Sequence, residues 1–253
     1  MTHDIQKAGL WKRLAAGILD GILLSILAVG VAFLLGEIFG YDGYNTTLNE
    51  SYAYYEEHYD VRFQITGEEY EALPPQEKEI YDAAYDALIQ DEEAMKAYNM
   101  VLNLSLLITT GGLLVACLML EFAVALLFGN GQTVGKKVFG LGVVRVDGVR
   151  TTPLQMFVRT VLGKFTVEIM IPVYVLLMIF FNTTGLGGTL FLGALLVAQI
   201  LIMALTANNS LIHDLLAGTV VVDVASQRIF RDTQDLIDYK KKLSREQSDR
   251  QSY

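Results

Sequence analysis

Cysteine, tryptophan, histidine and proline are all scarce: the 253 residues hold one Cys, one Trp, three His and four Pro. With Cys117 alone, an internal disulfide and a cysteine-rich metal cluster are excluded. No two histidines stand at a helical metal-ligand spacing. Charge is thin too, at 19% of residues against about 25% in ordinary soluble domains. It vanishes over residues 169–212, a run of 44 without Asp, Glu, Lys, Arg or His. Basic residues are outnumbered, leaving a net charge of −9, and a chain without a basic excess is not expected to bind nucleic acid. No nucleophile stands with a base, and no cofactor motif is legible, so no enzymatic activity, metal or cofactor is expected.

Apolar residues are abundant, at 53%, with a mean hydropathy of +0.39. A bilayer core takes about 20 apolar residues per helical span. Four candidates emerge: Leu14 to about Phe39, Met100 to Phe128, about Phe165 to Phe181, and about Gly188 to Thr206. Asn182 to Gly188, with three glycines in seven residues, favours a turn between the last two. The first run is longer than the about 7–15 residues of a signal core and lacks a small-x-small cleavage site, so it reads as a retained helix. The expected fold is an all-α membrane protein: a four-transmembrane-helix bundle with a small acidic, mainly helical external insertion and a short cytoplasmic strand pair. The chain divides into a tail and first span (1–39), a lobe (40–99), a second span (100–128), a Gly/basic connection (129–164), spans three and four (165–207) and a C-terminal segment (208–253).

Lys and Arg set the orientation, because they stay on the cytoplasmic side. The first 13 residues hold three, residues 129–164 hold six and the segment after 207 holds seven; residues 40–99 hold three in 60, and 182–188 none. The alternation predicts both termini inside and residues 40–99 outside, in the plasma or inner membrane of a bacterium. The lobe carries 15 Asp and Glu against Arg62, Lys78 and Lys96, a net −12 that leaves +3 for the remainder. Ten of the 13 tyrosines lie in it. Asp60 to Ile65 alternates polar and apolar residues and predicts a short strand. Thr66 and Glu69 form a capping-box pattern for a helix stopping at Leu73, and a second helix is expected over Pro75 to Gln90, with Ile80, Ala84, Ala87 and Leu88 on one face.

An ionisable residue inside a span costs about 2.5–3.5 kcal/mol at mid-helix on insertion scales, so it needs a partner or a role. Arg13 and Asp20 stand two helical turns apart on one face with Gly17 and Gly21, opposite an apolar face of Ile18, Leu19, Ile22, Leu23 and Ile26. They are expected to act as a coupled unit, with Asp214 as another acid that can share the arginine. Glu121, seven residues before the end of span two, is expected at a depth similar to Asp20, where two carboxylates share a cation or keep one proton. Glu168 follows Lys164 by four residues, the spacing of a local ion pair. His213, beside Asp214, reads as a hydrogen-bonding residue rather than a zinc ligand. Glu168 and His213 are secondary site candidates.

Three stretches carry a family likeness: Gly9 to Asp20, Gly131 to Val144, and Leu211 to Val222. In this order they resemble the RDD family of bacterial membrane proteins, named for one arginine and two aspartates, which match Arg13, Asp20 and Asp214. The resemblance implies a multi-pass membrane protein, with cation/proton exchange proposed for some members. It does not cover the 40–99 lobe or the tail after 225. The middle stretch is not a phosphate loop, because Asn130 stands where the first glycine would be and Lys137 follows Lys136. Val143 to Arg150 reads as a strand and an Asp-Gly turn, and Thr219 to Val224 as its partner strand, which would bring Asp214 near the base of span one. The tail is expected to be helical over Asp235 to Arg245 and disordered from Ser248.

Two readings of function stay open. One is a transporter or ion-binding protein with Asp20, Glu121 and Asp214 as buried acids and Arg13 as counter-charge, in which Asp20 exchanges a proton for a small cation. The other is a structural or assembly partner of envelope proteins, with the acidic lobe as interaction module. Either one implies lipid contact and a homo-oligomer or membrane-protein partner.

Overall fold

The structure, a computed structural model, describes residues 8–180, 185–206 and 210–251. It is mainly helical, and the chain falls into two compact units: residues up to Ala28 with Leu113 onward, and Val29–Gly112. Among the described residues, three helices are long and apolar enough to cross a membrane: Leu10–Phe39, Glu92–Leu127 and Pro153–Ile179. A fourth apolar run, Leu186–Ile202, is shorter. The turn expected over Asn182 to Gly188 lies partly outside the described residues, and from Gly185 onward the chain is already helical.

Within Val29–Gly112, α1 (Leu10–Phe39) ends where Gly40 takes a left-handed conformation. The tyrosine-rich stretch then forms a full helix, α2 (Tyr41–Tyr59). No strand follows. Residues 61–66 form an irregular link in which the Phe63 N–H donates to Glu56. The alternation there is a packing pattern instead: Phe63 meets the rings of Tyr52, Tyr81 and Tyr85 edge-on. Thr66 and Glu69 form the expected capping box at α3 (Gly67–Ala72), and α4 (Pro75–Gln90) begins with proline in its first turn. Ala84 and Leu88 are buried on α4, but Ile80 is exposed and Tyr81 takes its place on the packed side. Asp91 caps α5 (Glu92–Cys117) by accepting from the Glu93 and Ala94 N–H groups.

In the other unit, α5 continues through a π-type turn, Leu118–Ala123, into α6 (Val124–Leu127). A glycine loop leads to the short α7 (Val134–Val138) and β1 (Leu141–Arg145). The next helix starts at Pro153, well before Phe165: α8 (Pro153–Phe157), a π-type stretch Val158–Met170 and α9 (Ile171–Phe180) are continuous. The last third of the basic connection is therefore part of this helix, and Arg159 and Lys164 ride on it. After α10 (Gly185–Leu205) come α11 (Ile212–Ala217) and β2 (Thr219–Asp223), which pairs antiparallel with β1, Val143 opposite Val221. The strand pair pins the base of α1, since the Ala8 N–H donates to the Val221 carbonyl and Lys12 pairs with Asp223 at 2.7 Å. Helix α12 (Thr233–Gln251) runs past the expected stop and includes Ser248.

The buried stripe of α1 is Ala16, Asp20, Leu24 and Ala28. Gly17 and Gly21 have the four-residue spacing at which small residues let membrane helices approach closely, yet a Cβ at either would meet nothing within 4 Å. Close approach occurs from the other partner: a Cβ on Gly135 would lie 2.9 Å from the Asp20 carboxylate and would also strike the Ala16 carbonyl.

Candidate functional site

One chain segment, Thr133 to Lys136 at the start of α7, closes on Asp20. Thr133 caps α7 by accepting from the Lys136 N–H and donates its own hydroxyl proton to Asp20 Oδ2. The Gly135 N–H donates to Asp20 Oδ1 at 2.7 Å. Lys136 Nζ stands 3.5 Å from Asp20 Oδ2 and 4.0 Å from Glu121 Oε2. The protein's own Lys136 ammonium thus stands between Asp20 and Glu121. Glu121 is paired again by Lys164.

Asp214 lies deepest, with 0% of its surface exposed. Arg159 pairs with it at 3.0 Å and Arg13 at 3.4 Å, while the Thr219 hydroxyl donates to its Oδ1. Burial by itself pushes the Asp214 carboxyl up, but Arg159, His213 and Arg13 outweigh it and hold it below the ordinary carboxylate range. His213 bridges two acids: its Nδ1 is 2.7 Å from Glu168 Oε2, and its Nε2 is 2.8 Å from Arg159 and 3.7 Å from Asp214 Oδ2. The His213 N–H also donates to Glu168. Gly163 makes this junction possible, because a Cβ there would lie 2.5 Å from His213 Cα and Cβ.

All six candidates from the sequence lie in this network, but the pairings differ from the local ones. Arg13 reaches Asp214, and Asp20 takes its partners from Thr133, Gly135 and Lys136. Lys164 serves Glu121 and leaves Glu168 to His213. Thr133, Gly135, Lys136 and Arg159 were not singled out as site residues from the sequence, and Lys164 stood there as a partner of Glu168 rather than of Glu121. Lys136 and Arg159 counted only as orientation signals, although Lys136 lies inside the Gly131–Val144 stretch.

The charged groups border a cavity of about 470 Å3. Its walls include Arg13, Asp20, Glu121, Lys136, Arg159 and Lys164, together with apolar residues at the start of α1. Around it and at Asp214, four carboxylates (Asp20, Glu121, Glu168 and Asp214) are balanced by four Lys or Arg side chains (Arg13, Lys136, Arg159 and Lys164).

No solved structure matches the chain. An uncharacterized protein of Bacillus subtilis (strain 168), YckC, is 27% identical over 95 residues, covering 38% of this chain and 49% of the relative. The matched stretch thus spans about half of that relative's length. The RDD family pattern matches residues 7–218 and so takes in Arg13, Asp20 and Asp214 together. The chain belongs to the RDD family.

Proposed function

We propose that the protein exchanges a small cation for a proton at the Asp20–Lys136–Glu121 group. In this reading it spans the membrane four times, with both termini and the strand pair on the cytoplasmic side. The observation that carries it is one ammonium held loosely between two buried carboxylates at the wall of a cavity. Thr133 adds a hydroxyl oxygen 3.1 Å from Lys136 Nζ. Carboxylate and hydroxyl oxygens suit hard cations such as the alkali metals. Burial draws the Lys136 ammonium below its ordinary range, against the pull of Glu121, and Arg159 and Lys164 add to the fall. When Lys136 releases its proton, the two carboxylates lose a positive charge that an entering cation restores. Charge in the site is conserved while a proton leaves and a cation arrives.

The test is cation-driven proton movement in liposomes holding the full chain, measured per folded molecule across pH. Asp20→Asn is expected to abolish it, and Lys136→Gln to uncouple it from pH. A folded Asp20→Asn protein with full flux ends this mechanism.

The assembly reading has its own support in the lobe, where Tyr54 is 61% exposed on α2 amid the chain's densest acidic charge. Aromatic surface of that kind is enriched at protein interfaces. Crosslinking of the full chain in its membrane, with and without Tyr54→Ala, tests it through the loss of a discrete adduct.

A further inference from the structure

The cavity has a second character that ion exchange does not use. One wall is the start of α1, where Leu10, Trp11, Leu14 and Ile18 line it and are themselves exposed, Trp11 to 79% and Ile18 to 57%. On a helix that crosses a bilayer, exposed apolar side chains face acyl chains, and tryptophan is favoured at headgroup level. The cavity therefore borders lipid on one side and charges of both signs on the other. Its volume of about 470 Å3 lies within the about 300–1,000 Å3 of small-molecule pockets.

The ion pairs around it are not equally close. Lys164 holds Glu121 and His213 holds Glu168 tightly, whereas Lys136 stands 3.5 and 4.0 Å from its two acids. Close charge-assisted bonds run at about 2.7–2.9 Å. Lys136, held this loosely, retains capacity for an anionic group. A purely anionic ligand meets Asp20, Glu121 and Glu168 along with the bases, and a purely cationic one meets Arg13, Lys136, Arg159 and Lys164. A ligand bearing both signs satisfies both sets.

We propose that this cavity takes the headgroup of a zwitterionic aminophospholipid, entering from the bilayer past Trp11, Leu14 and Ile18. Its phosphate lies toward Lys136, Lys164 and Arg13, and its primary ammonium toward the carboxylates, while the acyl chains stay outside along the apolar face of α1. A primary ammonium donates N–H bonds to the carboxylates and a choline group donates none, so the site favours ethanolamine over choline headgroups. It favours both over glycerol headgroups, which carry only negative charge. Binding of this kind does not depend on the exchange reading, since it is measured as occupancy and not as flux.

Gly17 offers a blocking variant that spares the fold. It lines the cavity, and a Cβ there meets nothing within 4 Å. Gly17→Leu fills the mouth, and Gly21→Leu adds the same bulk on the same helix at another open position. The full chain is equilibrated in an equimolar mixture of phosphatidylethanolamine, phosphatidylcholine and phosphatidylglycerol with identical acyl chains, and retained lipids are counted by native mass spectrometry. One phosphatidylethanolamine is expected to be retained at least fivefold over either competitor, to be lost in Gly17→Leu and kept in Gly21→Leu. Soluble phosphoethanolamine is expected to displace it. Preferential retention of phosphatidylglycerol overturns the proposal, as does ethanolamine-lipid retention that survives Gly17→Leu. Binding of phosphoethanolamine without lipid enrichment overturns the lipid source, and no enrichment of any lipid leaves the cavity to water and overturns the whole.

Discussion

At Asp214, a fully buried carboxylate faces two guanidiniums and a histidine, and each neighbour has a different weight. Removing one member of a buried charged set leaves the rest uncompensated, typically at about 3–5 kcal/mol. Arg159 is the closer partner, so Arg159→Gln is expected to destabilise the protein more than Arg13→Gln. In unfolding cycles in detergent, Arg13→Gln and Asp214→Asn are expected to be non-additive. Arg13→Gln and Asp20→Asn are expected to add, because Asp20 bonds to Thr133, Gly135 and Lys136. Coupling between Arg13 and Asp20 of more than about 0.5 kcal/mol contradicts the observed pairing. The depressed Asp214 carboxyl also sets an acid limit. Its folded value lies below the unfolded value of about 3.9, so its contribution is complete above that pH and is lost as pH falls through the lower folded value. The melting temperature is expected to drop below about pH 4, and less steeply in Asp214→Asn than in the parent chain.

The elements meet at glycines, but not at those whose spacing suggests helix contact. Gly17 and Gly21 follow the small-residue pattern of packed membrane helices, yet both stand open. Gly135, in the short α7, lies against α1 at Ala16 and Asp20, and Gly163 lies against α11 at His213. Gly135→Ala forces a methyl group onto backbone and a buried carboxylate, and overpacking of that kind costs about 1–3 kcal/mol. Gly17→Ala adds a methyl in open space and gains helix propensity. Unfolding in detergent is expected to separate the two variants clearly, Gly135→Ala destabilised and Gly17→Ala neutral or stabilised. Equal effects would mean that α7 does not seat on α1 as described. The π-type turns belong to the same scale. They carry Glu121 on one helix and Arg159, Lys164 and Glu168 on the other, so the widened turns hold half of the network's Asp, Glu, Lys and Arg side chains. Such turns are frequent at functional sites.

For the whole molecule, the distribution of Lys and Arg predicts an orientation with the acidic lobe outside and both termini inside. Cys117 is buried, so the native chain offers a quiet background for labelling. Ser51→Cys is expected to react with an impermeant maleimide in intact cells, and Ser248→Cys only after permeabilisation. The reverse pattern inverts the topology.

Local features were legible in the residue order because local physics makes them. Thr66 and Glu69 cap α3 because their side chains reach their own backbone three residues away. Proline at its start and Asp91 beyond its end bound α4, and the β-branched runs at Val143 and Thr219 pair because each suits a strand. The apolar runs alone mark the membrane helices, since bilayer thickness sets their length. Two local readings went astray for the same kind of reason. Residues 60–65 alternate because Phe63 packs among tyrosines, and α2 has so many tyrosines and acids that no apolar period announces it. The acids of the site, and Arg13 and His213, were visible as costly charges in apolar surroundings. Which cation serves which acid was decided only by tertiary structure. Lys136 reaches Asp20 across 116 residues and Arg13 reaches Asp214 across 201, and no spacing rule operates over such distances. The strand pair draws β2 to the base of α1, the glycines let α7 and α11 close in, and the ion pairs follow from that approach.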